Sequence, residues 1–310
     1  MSNAQFSDLS GLSAAFESLI ARAVEGVVAV KAAPYRVSSG LAIGPDLVAV
    51  ADHTLRRQER IPVHSADGQQ GVATILGRDR SIDLAILKVE NLSLEPLPSA
   101  DAAALKAGSL AIVTGLTIDA GPSASLGIVG AAAGPRNTWR SGKLDLFLRL
   151  DVNLYPSQSG AAVVNAQGQL IGMATPGLLR HSAVAVPTVT LNRVAQELLQ
   201  EGRIRHGYLG IGLQPIAIPD TLRAKLANVA ASGLPAAGLM VLSVAPDSPA
   251  QNAGIQLGDI LISLDQNYLG GIEELQSLLR GDLVGRSVSA LLIRGGEPVQ
   301  AQIVISQRGA

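Results

Sequence analysis

Three side chains in this sequence are of the types that together attack a carbonyl carbon: His53, Asp83 and Ser159. A serine hydroxyl is a weak nucleophile near neutral pH. It becomes effective when a hydrogen-bonded imidazole takes its proton and a carboxylate fixes the imidazole tautomer. Taken singly, each residue has a plainer reading as a loop histidine, a solvated strand-end carboxylate or a turn serine. Their settings, taken together, favour chemistry. His53 follows the apolar run Leu47-Val48-Ala49-Val50-Ala51, where a core strand would end at a cleft. Asp83 stands at the mouth of a strand beginning Leu84-Ala85-Ile86-Leu87. Ser159 lies in Pro156-Ser157-Gln158-Ser159-Gly160, a tight turn able to present the hydroxyl and aim the backbone amides of Ser157, Gln158 and Ser159 at a developing oxyanion.

The elements that would hold these residues are mostly strands. Short β-branched runs separated by Gly, Pro and Asp recur at 27–31, 40–43, 47–50, 73–76, 84–89, 110–114, 127–131, 146–150, 162–165, 170–174 and 183–186. Many short strands at near-regular spacing predict a barrel or sandwich. Before them, Leu12, Phe16, Leu19 and Ile20 fall on one face of a helix expected to pack on this β-rich unit. After them, 189–200 has helical spacing, and 201–205 reads as a linker. A smaller α+β unit follows, with strands at 207–213, 239–245, 259–264, 287–294 and 300–306 and one helix at 272–280.

Composition narrows the function classes. With 310 residues the chain is long enough for two cored domains, and its 16% charged residues and formal net charge of -1 leave no basic footprint for nucleic acid. No window approaches the roughly 20 apolar residues of a membrane span, and the first ten residues lack the basic and apolar regions of a secretory signal. As written, the chain is expected to be cytoplasmic, or periplasmic or otherwise extracytoplasmic if a leader has been removed. The absence of cysteine excludes disulfides, and the four histidines, far apart, have no ligand-like spacing, so no metal or organic cofactor is expected.

Ser39-Gly40-Leu41-Ala42-Ile43 with Val50-Ala51-Asp52-His53, then Gly77 through Val89 around Asp83, then Asp151 through Gly160 and Gly168 through Gly172, resemble the catalytic segments of HtrA (DegP/Deg-type) serine proteases. The resemblance runs from Leu12 to Ser306. It implies a mainly β fold: an N-terminal helical segment at 1–25, a trypsin-like double β-barrel at 26–202 and a small α+β PDZ domain at 203–310. It further implies an endopeptidase acting on unfolded or misfolded polypeptides, with Ser159 as nucleophile, His53 as proton shuttle and Asp83 as its orienting group. A homotrimer held by the protease domains, with the N-terminal helix contributing, is also implied.

Two departures from the family pattern bear on activity. Ser157 stands where the family has a glycine, and a serine forced to positive φ there would cost about 1–2 kcal/mol. Asp52 replaces the small or amide residue usual before the histidine and adds a negative charge beside the imidazole. The altered nucleophile turn motivates a second reading, a weakly active or inactive pseudo-protease serving as a peptide-binding scaffold or chaperone. A third, weaker reading is a PDZ adaptor with a barrel spacer.

In the second unit, Gly207-Tyr208-Leu209-Gly210-Ile211 resembles the carboxylate-binding loop of PDZ domains. Successive amides converging at a glycine can hold a chain-terminal carboxylate while the adjoining strand edge pairs with the peptide. Tyr208, Leu209, Gly210 and Ile211 are the candidates for this role, with Ile272, Leu275 and Leu279 on a helix face that would wall the groove. Part of that apolar stripe would be core in any reading.

Overall fold

In a computed structural model, residues 3–33, 36–56, 58–138, 142–179, 182–201, 207–226, 236–279 and 283–307 are described. The chain divides into two units, Met1–Ile204 and Arg205–Ala310. Residues 202–206, including most of the expected linker and His206, lie outside the described residues, as do His181 and Arg280.

The first unit contains two closed six-stranded barrels. One is built from β1 (Val27–Ala33), β2 (Arg36–Gly44), β3 (Leu47–Ala51), β4 (Ile61–Ser65), β5 (Gln70–Asp79) and β6 (Leu84–Glu90). Its order is β1-β2-β3-β6-β5-β4, closed by pairing of β4 with β1. The second uses β7 (Leu110–Thr117), β8 (Gly121–Ala133), β9 (Phe147–Asp151), β10 (Ala162–Val164), β11 (Leu170–Thr175) and β12 (Ala183–Pro187), all antiparallel.

The unbroken apolar runs have a structural reason. Every residue of β3 is buried. Val48 and Val50 point into the first barrel, whereas Leu47, Ala49 and Ala51 point into a larger core shared between the barrels. In β6, Ala85 and Leu87 face the barrel while Leu84 and Ile86 face the seam. Ile112, Met173, Val184 and Val186 meet them from the second barrel. A strand buried on both faces cannot alternate with polar residues. Each large aliphatic side chain so buried contributes about 1.5–3 kcal/mol. The ends of these seam strands are where His53, Asp83 and Ser159 emerge.

Helix α1 (Asn3–Ala23) packs on the seam core through Leu19, with Phe16 and Ile20 half-buried against it. Leu12 departs from the expectation. It is 53% exposed, because the helix reaches the barrels only in its last turns. Helix α2 (Thr188–Glu201) inserts Leu191, Val194 and Leu198 into the same core. Leu198 occupies the space a side chain would need at Gly77, where β5 carries a bulge against β6. Strand β4 and a two-residue ladder, Arg136–Asn137 with Lys143–Leu144, are additions to the sequence reading.

The second unit is a sheet in the order Ile211–Ala217 (β13), Ala237–Val244 (β14), Ile260–Leu264 (β15), Ser287–Arg294 (β16) and Glu297–Val304 (β17). Among the described residues three helices accompany it: α3 (Asp220–Leu226) and α4 (Pro249–Asn252), both absent from the sequence reading, and α5 (Ile272–Leu278). Leu239, Leu261, Leu292 and Ile303 form its core with Leu275 of α5. The segment expected as one strand at 207–213 is broken at Gly210. Gly207–Tyr208 pairs with Ser306–Gln307, and β13 begins at Ile211.

Candidate functional site

Strand β3 ends at Ala51, and the chain turns through a single 3₁₀ turn, Asp52–Thr54, that carries His53. Strand β6 begins beside it, Ala51 pairing with Leu84. Asp83 immediately precedes β6 in the left-handed region, at φ 54. That conformation is uncommon outside glycine but tolerated by Asp. Here it lets one residue make three bonds to the histidine turn. Its carbonyl accepts from Asp52 N at 3.1 Å, Oδ1 accepts from His53 N at 2.9 Å, and Oδ2 lies 2.8 Å from His53 Nδ1. Asp83 is 1% exposed while the His53 side chain is 41% exposed. The carboxylate is buried and bonded to Nδ1 while the ring stays partly exposed, the arrangement an orienting group and a proton shuttle require.

Ser159 arrives from the second barrel. Its carbonyl accepts from Ser39 N at 3.1 Å, and Gly160 N donates to Ala174 O at 2.9 Å. Gly160 has φ 88, and a Cβ there would run into the Ser39 carbonyl and approach Ala51 N at 3.4 Å. Only glycine allows the Ser159 turn to lie this close to the end of β3. Ser159 is 3% exposed. Among the described residues no hydrogen bond joins it to His53, so the histidine–aspartate half of the site is assembled and the serine–histidine bond is not closed in this conformation.

The turn before Ser159 is a 3₁₀ helix, Pro156–Gln158. Gln158 N donates to Tyr155 O at 2.9 Å and Ser159 N reaches Pro156 O at 3.4 Å. Of the three amides expected at an oxyanion site, two are therefore engaged within the turn here. Ser157 is not among the residues with positive φ, so the strain expected for a serine at this position is not present in this conformation. Its carbonyl accepts from Ser39 Oγ at 2.8 Å. The Gln158 side chain is fully buried beneath the turn, where Oε1 accepts from Tyr155 N at 3.1 Å and from Ser125 Oγ at 3.0 Å.

Two further residues belong to the site. Thr175, at the end of β11 and fully buried, donates its hydroxyl to Asp83 Oδ2 and accepts from Gly177 N at 2.9 Å. Sequence reasoning missed it, because a threonine ending an apolar strand looks like any β-branched strand residue. Asp52 was expected to act on the imidazole. Its carboxylate interacts with the His53 charge, but its nearest partners are Arg78 at 3.3 Å and Arg80 at 3.7 Å. Burial raises its pKa above the ordinary value and outweighs the opposing pull of Arg78 and Arg80. Arg78 also donates to Arg56 O at 3.3 Å, so this cluster ties the end of β5 to the chain just past His53.

In the second unit, Gly210 has φ 77 and lies against Ser248, with no room for a side chain. Ala245 N donates to Gly210 O at 2.7 Å and Ala250 N donates to Leu209 O at 3.0 Å, fixing the loop from behind. The amides of Leu209 and Gly210 have no backbone partner among the described residues. Because the Gly210 carbonyl takes the bond from Ala245, antiparallel alternation turns the Ile211 amide outward. Strand β13 has one neighbour in the sheet order, and α5 packs beside it. Ile211, Ile272 and Leu279 are half-buried, as a groove lining would be. Leu209 and Leu275 are each 3% exposed and belong to the core, while Tyr208 is paired with Ser306 and directs its hydroxyl toward Gly210. Among the described residues no cluster of His, Cys, Asp or Glu could hold a metal.

Comparison with known proteins places this geometry. Residues 38–173 match the trypsin-like peptidase domain family, and residues 207–305 match the PDZ domain family. The periplasmic pH-dependent serine endoprotease DegQ of Escherichia coli is 29% identical over 265 residues, covering 83% of this chain and 56% of DegQ. A probable periplasmic DegP-like serine endoprotease of Chlamydia pneumoniae is 26% identical over 275 residues, 87% of this chain and 54% of that protein. The chain thus spans about half the length of these curated relatives. Among solved structures, a serine endoprotease from Yersinia pestis superimposes with TM-score 0.71 at 25% identity, over 95% of this chain and 98% of that one. The HtrA-type protease AlgW with a decapeptide gives TM-score 0.73 at 22% identity, over 94% and 98%.

Proposed function

The chain belongs to the HtrA type of serine protease, a trypsin-like peptidase domain joined to one PDZ domain, and from that premise we propose that it cleaves unfolded or misfolded polypeptides through an acyl-enzyme. The observation that carries this reading is the His53 Nδ1 contact to Asp83 Oδ2 at 2.8 Å, with the Ser159 turn bonded to the first barrel through Ser39. In the reaction, Ser159 Oγ attacks the substrate carbonyl as His53 Nε2 takes its proton, and His53 returns that proton to the leaving amine. Asp83 stays ionised and holds the imidazolium, itself held by Thr175 and the His53 amide.

The oxyanion is to be stabilised by the amides of Ser157 and Ser159. Ser159 N is bonded to Pro156 O only at 3.4 Å, a long contact that a developing negative charge would outcompete. The turn must therefore open as substrate enters. The pseudo-protease reading, motivated by the altered nucleophile turn, is not favoured over this one, since the peptidase-domain match and the relatives named as serine endoproteases support turnover.

The PDZ loop is proposed to take a free, apolar C-terminus on the amides of Leu209, Gly210 and Ile211, the peptide adding as a strand to β13. Peptide ligands in the AlgW structures are consistent with this class of partner. Assembly as a homotrimer would use the first unit. The outward face of β8 is apolar throughout, with Pro122, Ala124, Leu126 and Ile128 exposed, and Leu110 of β7 lies beside Ile128. Among the described residues no helix is long and apolar enough to cross a membrane, and the relatives named above are periplasmic, so an extracytoplasmic site of action is proposed. The test is hydrolysis of a permanently unfolded polypeptide by the wild type and by Ser159→Ala. Cleavage by the first alone supports the reading, and equal cleavage by both refutes it.

A further inference from the structure

The geometry points to the hairpin neck formed by residues 136–138 and 142–144, between β8 and β9, as a strut that sets the position of Asp83 in the first barrel, with Thr138 and Gly142 as positioning residues. This inference rests on the protease reading for its kinetic consequences but not for its structural one.

Thr138 and Ser81 are 57 residues apart in sequence, and the Thr138 hydroxyl donates to the Ser81 carbonyl at 2.6 Å. The direction of that bond is fixed. The same hydroxyl oxygen accepts from Gly142 N at 2.9 Å, leaving its one proton for Ser81. Thr138 N donates in turn to Gly142 O at 2.7 Å, so the hydroxyl is held by the neck of the hairpin. Gly142 is pressed against Ser81 and Ile82. A Cβ there would overlap both the Ser81 carbonyl and the Ile82 side chain.

The loop receiving this contact is the one that delivers the orienting carboxylate. Ser81 N bonds Asp79 Oδ1 at 3.0 Å, Ile82 is fully buried, and the next residue is Asp83 at φ 54. A left-handed aspartate is tolerated but uncommon, so contacts on both sides of the loop help to hold this one. The β5 side supplies Asp79, and the opposite side is closed by Thr138 and Gly142.

The hairpin is itself anchored. Leu144 is 2% exposed in the seam core, and Arg136 lies 4.6 Å over the Phe147 ring. Asp145 N donates to Thr190 Oγ1 of α2 at 2.9 Å, and Asp145 Oδ2 accepts from Arg193 Nε at 2.9 Å. A continuous series of contacts therefore runs from α2 through Asp145 and the hairpin neck to the loop carrying Asp83. The Thr138 hydroxyl touches neither substrate nor reacting atoms and acts through Asp83.

The test uses the full chain with Thr138→Val, which keeps shape and removes the hydroxyl, Thr138→Ser, which restores it, and Gly142→Ala, which displaces Ser81. Two readouts are taken: kcat and KM on an unfolded substrate, and the low-field proton resonance of His53 Nδ1–H bonded to Asp83. Thr138→Val and Gly142→Ala are expected to lower kcat about 10- to 100-fold with KM within about twofold, the scale on which misplacing a catalytic group acts. The resonance should shift or broaden in both and return in Thr138→Ser. An unchanged resonance and unchanged kcat in folded Thr138→Val and Gly142→Ala overturn the strut. If the wild type turns over nothing yet the resonance responds as stated, the protease reading fails and the strut stands. If Thr138→Val does not fold, Thr138→Ser and Gly142→Ala decide.

Discussion

Replacing Thr175 by Val is the sharpest test of how Asp83 is held. The two side chains have nearly the same shape, and the site is fully buried, so packing is preserved. Two bonds are lost: the hydroxyl to Asp83 Oδ2, and the Gly177 amide to the same hydroxyl at 2.9 Å. A hydrogen bond to a charged group contributes about 1.5–3 kcal/mol and a neutral one about 1 kcal/mol. The variant should therefore be destabilised by about 2.5–4 kcal/mol, read as a shift in the urea midpoint at unchanged m-value. Asp83 keeps the His53 amide and the imidazole, so the tautomer is retained but its carboxylate is less well fixed. If the lost charged bond is felt fully in the transition state, turnover falls about 10- to 150-fold. The assay is the second-order rate of inactivation by a peptidyl phosphonate, with Thr175→Ser as the rescue. A folded Thr175→Val variant inactivated within about twofold of the wild-type rate would refute the reasoning.

Gly160→Ala forces a left-handed alanine into the Ser39 carbonyl, so beyond a backbone cost of about 1–2 kcal/mol the turn must move. Chemical denaturation should show a loss above 2 kcal/mol on that scale together with lost phosphonate labelling, and normal labelling would contradict the placement of the turn. In the second unit, burial alone would raise the Asp259 pKa. Bonds from Arg294 at 2.8 and 2.7 Å, the Gln256 amide at 2.8 Å and the Arg294 charge together hold it below the ordinary value. A carboxyl depressed on folding gives stability that is present above its unfolded pKa of 3.8 and lost as pH falls through the lower folded value. Acid titration of the second-unit unfolding transition should show that loss in the wild type and not in Asp259→Asn. For the groove, calorimetry on the full chain should find a free-acid peptide bound more tightly than its C-terminal amide, with Gly210→Val abolishing the difference. Equal affinities for acid and amide would remove the carboxylate role of the loop.

The parts of the fold that were legible in the sequence share a cause. Strands β3 and β6 are buried on both faces, so their apolar runs are unbroken and their ends, where His53 and Asp83 sit, are sharply marked. The turn around Ser159 was legible from Gly160, whose left-handed backbone leaves no alternative residue. What escaped depends on contacts between distant segments. Strand β4 contains Pro62, which argues locally against a strand, yet it pairs with both β1 and β5. Thr175, Thr138 and the arginine partners of Asp52 carry no local signal, since each is defined by a partner far away in sequence, a side chain or, for Thr138, a backbone carbonyl. Leu12 followed the helical stripe but lies beyond the reach of the barrels, a limit periodicity does not encode.

In the proposed mechanism Ser159 is a nucleophile activated by His53, which Asp83 orients. Labelling the full chain with a serine-directed phosphonate, followed by mapping of the adduct, tests it most directly, because an unactivated serine does not react. One adduct is expected, on Ser159, absent in His53→Ala and slowed about 10⁴-fold in Asp83→Asn through the wrong imidazole tautomer. No adduct under conditions where a control protease reacts, or an adduct that persists in His53→Ala, would contradict it.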